Sequence, residues 1–400
     1  MIKKTGRLAA RWLTTLAVLA TAALLVSPGG AAQAAASKKA PLTIGTIDSV
    51  CPSCASAGTA APNEVQQAIG VWAKWTNAHG GINGHPVKVI YKNDNGDAAQ
   101  AVADITTMDQ ADHVLAIVGQ NDSGTVTAWA SYAQQHGLPV IGGENYNISS
   151  LTNPMFFMDS TSVLSLLYGQ IAKARLIGKT KYGALYCSAV AACAQANPVL
   201  KGDAPKAGVQ YVFDQAVSNN QPNYTANCLA AKDAGVQMLQ LNGVAVNQIV
   251  DNCYQQGYKP AYGLVNPDPT YLSLPGINGS IGNLPSFPAF IKNKATAEFQ
   301  AAFKKYDPKL VPTVSSSQTW TAGMLFAKAA AHVGATPTRQ QILDGLYGIK
   351  NETFGGLTPP VSYGPAGKPN PQIPCYYIFT VQKNKYVAPY GLNTKCAPAS

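Results

Sequence analysis

The sequence predicts an α/β protein of two doubly wound lobes, on three observations. Short apolar strand-like runs alternate with amphipathic helical runs from Leu42 onward, the pattern of a parallel sheet covered by helices on both faces. The alternation is interrupted at Asn153-Pro154 and then starts again. About 365 residues follow the N-terminal leader, more than one hydrophobic core commonly serves.

The first series opens with a strand from Leu42 to Ile47 and a helix from Asn63 to Ala78, where Val65, Ala68, Ile69, Trp72 and Trp75 share one stripe. Gly80-Gly81 stops that helix, Asn83-Gly84 turns the chain, and Val87 to Tyr91 forms the second strand. A helix from Ala98 to Gln110, strands at Val114 to Val118 and Leu138 to Ile141, and a helix from Thr125 to Gln135 complete the series. The second series has a helix near Ser162 to Leu176 and strands near Tyr182 to Tyr186, Val209 to Phe213, Gln237 to Leu241 and Tyr262 to Val265. A stretch rich in Pro, Gly, Asn and Ser from Pro267 to Pro288 precedes helices at Lys294 to Tyr306 and Gln318 to His332. Strands at Cys375 to Val381 and Tyr386 to Ala388 flank Lys383-Asn384-Lys385 and read as a hairpin.

Lys3, Lys4, Arg7 and Arg11 precede the apolar run Trp12 to Val26, and Ala32-Gln33-Ala34 offers small residues for cleavage, so residues 1–34 read as a secretory signal peptide. The run is diluted by Thr14, Thr15 and Thr21 and is short for a membrane span. The first cysteine is Cys51, too distant from the run for a lipidated N-terminus. Without the leader's four basic residues the formal charge falls from +10 to +6. No Lys/Arg run interleaves with aromatics, so nucleic acid is not an expected partner.

Eight cysteines in an exported chain suggest disulfides. Spacing proposes Cys51 with Cys54, Cys187 with Cys193, Cys228 with Cys253 and Cys375 with Cys396, although spacing alone does not prove connectivity. The Cys51-Pro52-Ser53-Cys54 motif also occurs in thiol oxidoreductases. There the helix begins at the motif, whereas here about eight small and turn-forming residues intervene.

Several segments, in order, resemble type I periplasmic binding proteins of the leucine/isoleucine/valine group. They are Ile44 to Ile47, Asn77 to Gly84, Val114 to Gly119 with Ser123-Gly124, Leu138 to Ile141, Gly323 to Ala330 and Phe354 to Gly356. The resemblance implies a clamshell hinged by three crossings near residues 155–160, 283–290 and 356–364. It implies one lobe of residues 41–157 plus 286–360 and another of 158–285 plus 361–396. It also implies capture of a small molecule, such as an amino acid or related compound, for delivery to the membrane permease of an ABC importer. A monomer without a cofactor is expected.

Loops at strand C-termini supply the candidate ligand contacts. Ser123 and the backbone N–H groups opening the next helix suit a carboxylate, while Asp122 or Ser123 in that position is equally a helix N-cap. Gly143, Glu144, Asn145 and Tyr146 follow the next strand, where the family has a small hydroxyl residue. Glu144 suits an ammonium group, Asn145 both donates and accepts, and Tyr146 can stack. Tyr186, Ser188, Asn242 and Asn266 occupy the equivalent edge of the second lobe. The family's second lobe adds an acid near the ammonium, but the one acid at these strand ends is Asp268, between two prolines. Sugars, amides and aromatic acids therefore suit the lining as well as leucine does.

Trp320 reads as core or stacking platform, and Trp129 as packing. The five histidines lack ligand spacing, so no metal is expected. An enzyme is disfavoured: GxSxG, HExxH and GxGxxG are absent, and Gly178-Lys179-Thr180 has Lys173 where a phosphate loop needs glycine. The remaining alternatives are a sensory binding module and thiol chemistry at Cys51 and Cys54.

Overall fold

A computed structural model describes residues 39–50, 63–122, 124–188 and 191–398. The leader, Cys51, Cys54 and Ser123 lie outside the described residues.

The first sheet is formed by β1 (Leu42–Asp48), β2 (Val87–Asn93), β3 (Ile117–Gln120), β4 (Val140–Gly143) and β5 (Phe156–Phe157), in the order β2-β1-β3-β4-β5. Its connections are α1 (Glu64–Ala78), α2 (Ala98–Gln110), α3 (Val126–Gln135) and the single turn α4 (Ser149–Thr152). All pairs are parallel. The strands are apolar on both faces because helices cover both: Ile44, Val118 and Ile141 are buried in one core cluster, Ile47, Ile117 and Val140 in another.

The second sheet repeats that order. After α5 (Val163–Leu176) come β6 (Lys181–Cys187), α6 (Ala191–Asp203), β7 (Gln210–Val217), α7 (Thr225–Asp233), β8 (Met238–Asn242), α8 (Val246–Gln255), β9 (Ala261–Leu264) and β10 (Ile281–Leu284). Their parallel order is β7-β6-β8-β9-β10. Three further helices follow, α9 (Ala297–Tyr306), α10 (Val314–Ala329) and α11 (Arg339–Tyr347), before β11 (Cys375–Gln382), β12 (Lys385–Val387) and β13 (Lys395–Cys396). β11 and β12 form the expected hairpin, added antiparallel beside β10.

α9 and α10 pack on α1, and α10 also lies on β3 and β4. The last third of the chain therefore completes the first layer structure. α10 begins at Val314, earlier than periodicity from Gln318 suggested, because its polar first turn is held by a distant residue. The buried Glu64 carboxylate accepts from Thr313 N–H at 2.9 Å, Thr313 Oγ1 at 2.8 Å and Ser316 N–H at 3.1 Å. A carboxylate at a helix N-terminus satisfies orphan donors and complements the dipole. The close fit of α10 needs glycine opposite it: a Cβ on Gly142, whose φ is 61°, would lie 2.7 Å from Ala322 Cα.

The segments joining the two sheets are knotted together by polar contacts. Thr161 between β5 and α5 donates its N–H to Pro285 O at 3.0 Å and its hydroxyl to Cys375 O at 2.6 Å. Tyr363 donates to Met158 O at 2.8 Å, and Tyr377 to Gly356 O at 3.0 Å. Three of the expected disulfides are present: Cys187–Cys193, Cys228–Cys253 and Cys375–Cys396. All three staple elements of the second sheet's lobe.

Candidate functional site

In a 2-1-3-4-5 sheet the crossovers leave the first and third strands on opposite faces, opening a crevice at their carboxyl ends. In the first sheet that crevice lies at Asp48 and Asn121, which form a parallel bridge just beyond β3. In the second it lies at β6 and β8, where Tyr186 and Asn242 are register partners. The link from β5 to the carboxyl end of β10, through Thr161 and Pro285, puts both carboxyl edges at the hinge.

The first-lobe edge is a buried, acid-rich network. Asp48 Oδ1 accepts from Asn121 Nδ2 at 3.0 Å and Oδ2 from Tyr91 OH at 3.3 Å. Asp94 accepts from Ser49 Oγ at 2.7 Å and Thr125 Oγ1 at 2.5 Å. Asp122 Oδ2 accepts from Trp129 Nε1 at 2.5 Å, while its buried Oδ1 has no partner. Burial raises the Asp48 carboxyl above the ordinary range, opposed by its bonds to Asn121 and Tyr91. Burial raises Asp122 much further; its bond to Trp129 opposes this, and the charges of Asp94 and Glu144 add to the rise. The expected N-cap role for Asp122 is corrected: α3 starts at Val126 with no side-chain cap bond, and the carboxylate reaches down to Trp129 instead.

The two adjacent loops are tied by Gln120. Its Nε2 donates to Glu144 O at 2.6 Å, and its Oε1 accepts from Asp122 N–H at 3.3 Å. Gly143 has φ 91°, and a Cβ there would lie 2.2 Å from Gln120 O, so only glycine lets the strands close up. Gln318 of α10 donates to Gly143 O at 3.1 Å and hydrogen-bonds the Tyr146 hydroxyl. Asn145 is buried and spent within the protein, donating to Ser160 O at 2.9 Å and accepting from Ser150 Oγ at 2.5 Å. Glu144 is buried beside them, and Tyr146 is half-buried, its phenol raised by burial first and the Glu144 charge second.

The second-lobe edge is neutral and more open. Tyr186, Asn242 and Asn266 are half-buried and Ser188 is exposed. Asn242 donates to Gln170 Oε1 at 3.1 Å and accepts from Gln240 Nε2 at 2.9 Å. Asn219 donates to Gly243 O at 3.0 Å beside them. Asp268 is occupied locally, accepting from Thr270 N–H at 2.8 Å and Thr270 Oγ1 at 2.7 Å. Ser123, expected at the carboxylate subsite, lies outside the described residues.

Sequence reasoning missed Asp48, Asp94, Gln120, Gln170 and Gln318. Asp48 ends β1 and Asp94 directly follows β2, so carboxyl-end position was an available signal. Gln318 was invisible because its partners lie about 175 positions away. Trp320 proves to be core, edge-on to Phe299 with centroids 5.6 Å apart. Trp129 is likewise buried. Among the described residues no His, Cys, Asp or Glu group is arranged for a metal, and no helix is long and apolar enough to cross a membrane.

The fold is shared with solved structures. A branched-chain amino-acid ABC transporter protein from Thermus thermophilus, with bound valine, superposes with TM-score 0.75 at 14% identity over 90% of this chain and 97% of that one. A solute-binding protein from R. palustris in complex with benzoate gives 0.67 at 15% identity, over 90% and 98%. A substrate-binding periplasmic protein from Ralstonia solanacearum gives 0.69 at 19% identity, over 87% and 99%. No curated protein matches the sequence significantly. The model of the periplasmic binding protein family matches residues 12–385. With that match spanning nearly the whole chain, the protein belongs to the periplasmic binding protein family.

Proposed function

We propose that the protein is an exported solute-binding protein that closes its lobes on a small polar ligand, an amino acid or related compound, and passes it to the permease of an ABC importer. The observation that carries this reading is the pair of equivalent switch-point crevices, β1/β3 and β6/β8, brought to one hinge. A molecule touching both edges favours the closed state by its differential contacts. The lobes of this proposal are residues 41–157 plus 286–360 and 158–285 plus 361–396.

Within the cleft, Ser123 and the N–H groups before α3 receive an acidic or hydroxyl group, and Glu144 faces a donor such as an ammonium. Tyr146 and Tyr186 offer ring faces on opposite sides. Ser188, Asn242 and Asn266 close from the second lobe, while Gly143 and Asn145 hold the first loop in shape. Membership of a binding-protein family, together with a fold shared with proteins that hold valine or benzoate, supports this over thiol chemistry at Cys51 and Cys54.

A thermal-shift screen of amino acids, sugars, amides and aromatic acids tests the reading. A ligand at 100 times its Kd adds roughly 2.7 kcal/mol of stability, and scattering should record a more compact particle with the same compound. If no class raises the melting temperature, the capture reading is wrong. N-terminal sequencing of protein recovered from the medium tests cleavage after residue 34.

A further inference from the structure

The proposed capture uses the carboxyl edges of the two sheets and gives the opposite edge of the second sheet no role. At that amino edge each loop entering a strand from β6 to β9 carries an exposed base: Arg175 and Lys181 at β6, Lys206 before β7, Lys232 before β8 and Lys259 before β9. The tip of the β11–β12 hairpin, beside the start of β10, adds Lys383 and Lys385. The loops form one surface. Arg175 Nε lies 3.9 Å from where a Cβ on Gly208 would sit, and Lys181 Nζ 3.5 Å from where one on Gly235 would sit. Lys232 Nζ donates to Gln256 O at 3.2 Å, and Asn384 N–H at the hairpin tip donates to Asn278 Oδ1 at 2.9 Å.

The protein does not neutralise this charge itself. Lys206 pairs with Asp203 at 2.9 Å, but among the described residues the other six bases have no ion-pair partner. The remaining acid on these loops is Asp233. The helix dipole favours a base at any helix C-terminus and would act alike on both lobes. Yet α5, α6 and α7 have bases in their last turns, whereas α1, α2 and α3 have none. Lys259 lies beyond the end of α8, and Lys383 and Lys385 are on no helix, so the dipole does not account for them.

Apolar side chains are exposed among the same bases. Leu176 beside Arg175, Leu229 one turn before Lys232, and Tyr254, whose ring centroid lies 4.4 Å from the Lys259 ammonium, are each 39% exposed. With Val212 on β7 they make four of the seven large apolar side chains exposed among the described residues, so the bases and the apolar groups share a surface. A soluble polyanion has nothing to bury such groups against, whereas the boundary between lipid headgroups and acyl chains accepts both kinds. We propose that the amino edge of the second lobe docks on a bilayer containing anionic phospholipid, its unpaired bases meeting phosphate groups while Leu176, Leu229 and Tyr254 reach the headgroup boundary. The docking surface and the cleft lie at opposite ends of the second sheet, so the docked protein keeps its cleft free, whichever ligand is bound.

The test is cosedimentation of the full chain with vesicles of phosphatidylcholine alone and with vesicles in which about three in ten headgroups are phosphatidylglycerol. Binding should be at least about tenfold stronger on the anionic vesicles. That preference should collapse as added salt shortens the screening length from about 10 Å at 0.1 M to about 3 Å at 1 M. Lys181→Glu, Lys232→Glu and Lys259→Glu together should abolish it. Lys74→Glu, Lys304→Glu and Lys309→Glu, which reverse three exposed bases of the first lobe, should leave most of it. Equal losses in the two triple variants would mean that net charge alone matters, and the proposal falls. It falls equally if neutral vesicles bind as well as anionic ones, or if soluble polyphosphate or a DNA duplex binds more tightly than vesicles. Should the second-lobe variant not fold, amide exchange of the wild type on anionic vesicles decides: protection belongs at residues 178–181 and 233–237, and its absence there overturns the assignment. No measurement involves a captured ligand, so failure here is separable from failure of the capture reading.

Discussion

The two lobes share a strand order but are held together by different means. The first is fastened by buried polar groups: Glu64 binds the start of α10, Asp48 and Asp94 anchor their loops, and Gln120 ties two loops together. The second is stapled by disulfides, among the described residues all three of them, and its carboxyl edge is neutral and more exposed. Under the proposed function the contrast gives the lobes different tasks. A buried, hydrogen-bonded network is preorganised, so under the proposed function the first edge would meet ligand with little further ordering cost. Under the same proposal the second edge, with half-buried Tyr186, Asn242 and Asn266, would adapt as the cleft closes.

The comparison breaks most readily at the staples. Replacing Cys228 and Cys253 together by Ser frees a loop of 25 residues and should cost about 3.5 kcal/mol on chain-entropy grounds. Hydrogen exchange should rise in α7 and α8 while α1 and α10 stay protected; equal loosening of both lobes would show that they are not independently fastened.

Glu64→Gln tests the opposite lobe. It removes a charged acceptor from several donors and should cost about 2 kcal/mol, with faster exchange at the start of α10 and none at α8. Asn242→Ala should weaken ligand binding about tenfold, close to 1.4 kcal/mol. The loss should appear in dissociation rate, since the second edge acts after encounter; a slower association with unchanged dissociation would reverse the assigned order of events. Asp122→Asn gives the smallest effect, in slope rather than midpoint. The folded Asp122 pKa lies above the ordinary 3.8, so the wild type is penalised as pH rises through and above that value. The amide should flatten this part of the stability profile.

Most of the architecture was legible because hydrophobic period and Gly/Pro punctuation are local signals. The helix of Glu64 to Ala78 buries Val65, Ala68, Ile69 and Trp72 as its stripe requires. Three of the four proposed disulfide pairs were legible from spacing; the fourth, Cys51 with Cys54, lies outside the described residues. What escaped depended on distant partners. The polar run Thr313 to Ser317 looks like a loop until Glu64 is placed against it. β10, with Gly282 inside it, reads as a turn until its neighbours β9 and β11 are present. At the candidate site, strand-end position was enough to put Glu144, Tyr186 and Asn242 at the carboxyl edges, but whether an amide faces a ligand or fastens its own loop depends on three-dimensional partners. Asn145, bonded to Ser150 and Ser160, illustrates the second case.

The return of the chain to its first sheet also constrains the order in which the molecule assembles. The bond between Glu64 and Thr313 spans 249 positions, so the first lobe cannot finish before its last third has been synthesised. The second waits longer still, for β11 to pair beside β10. Long-range closures of this kind slow folding and leave apolar strands uncovered during synthesis. Neither half can therefore lock until most of the polypeptide has been made.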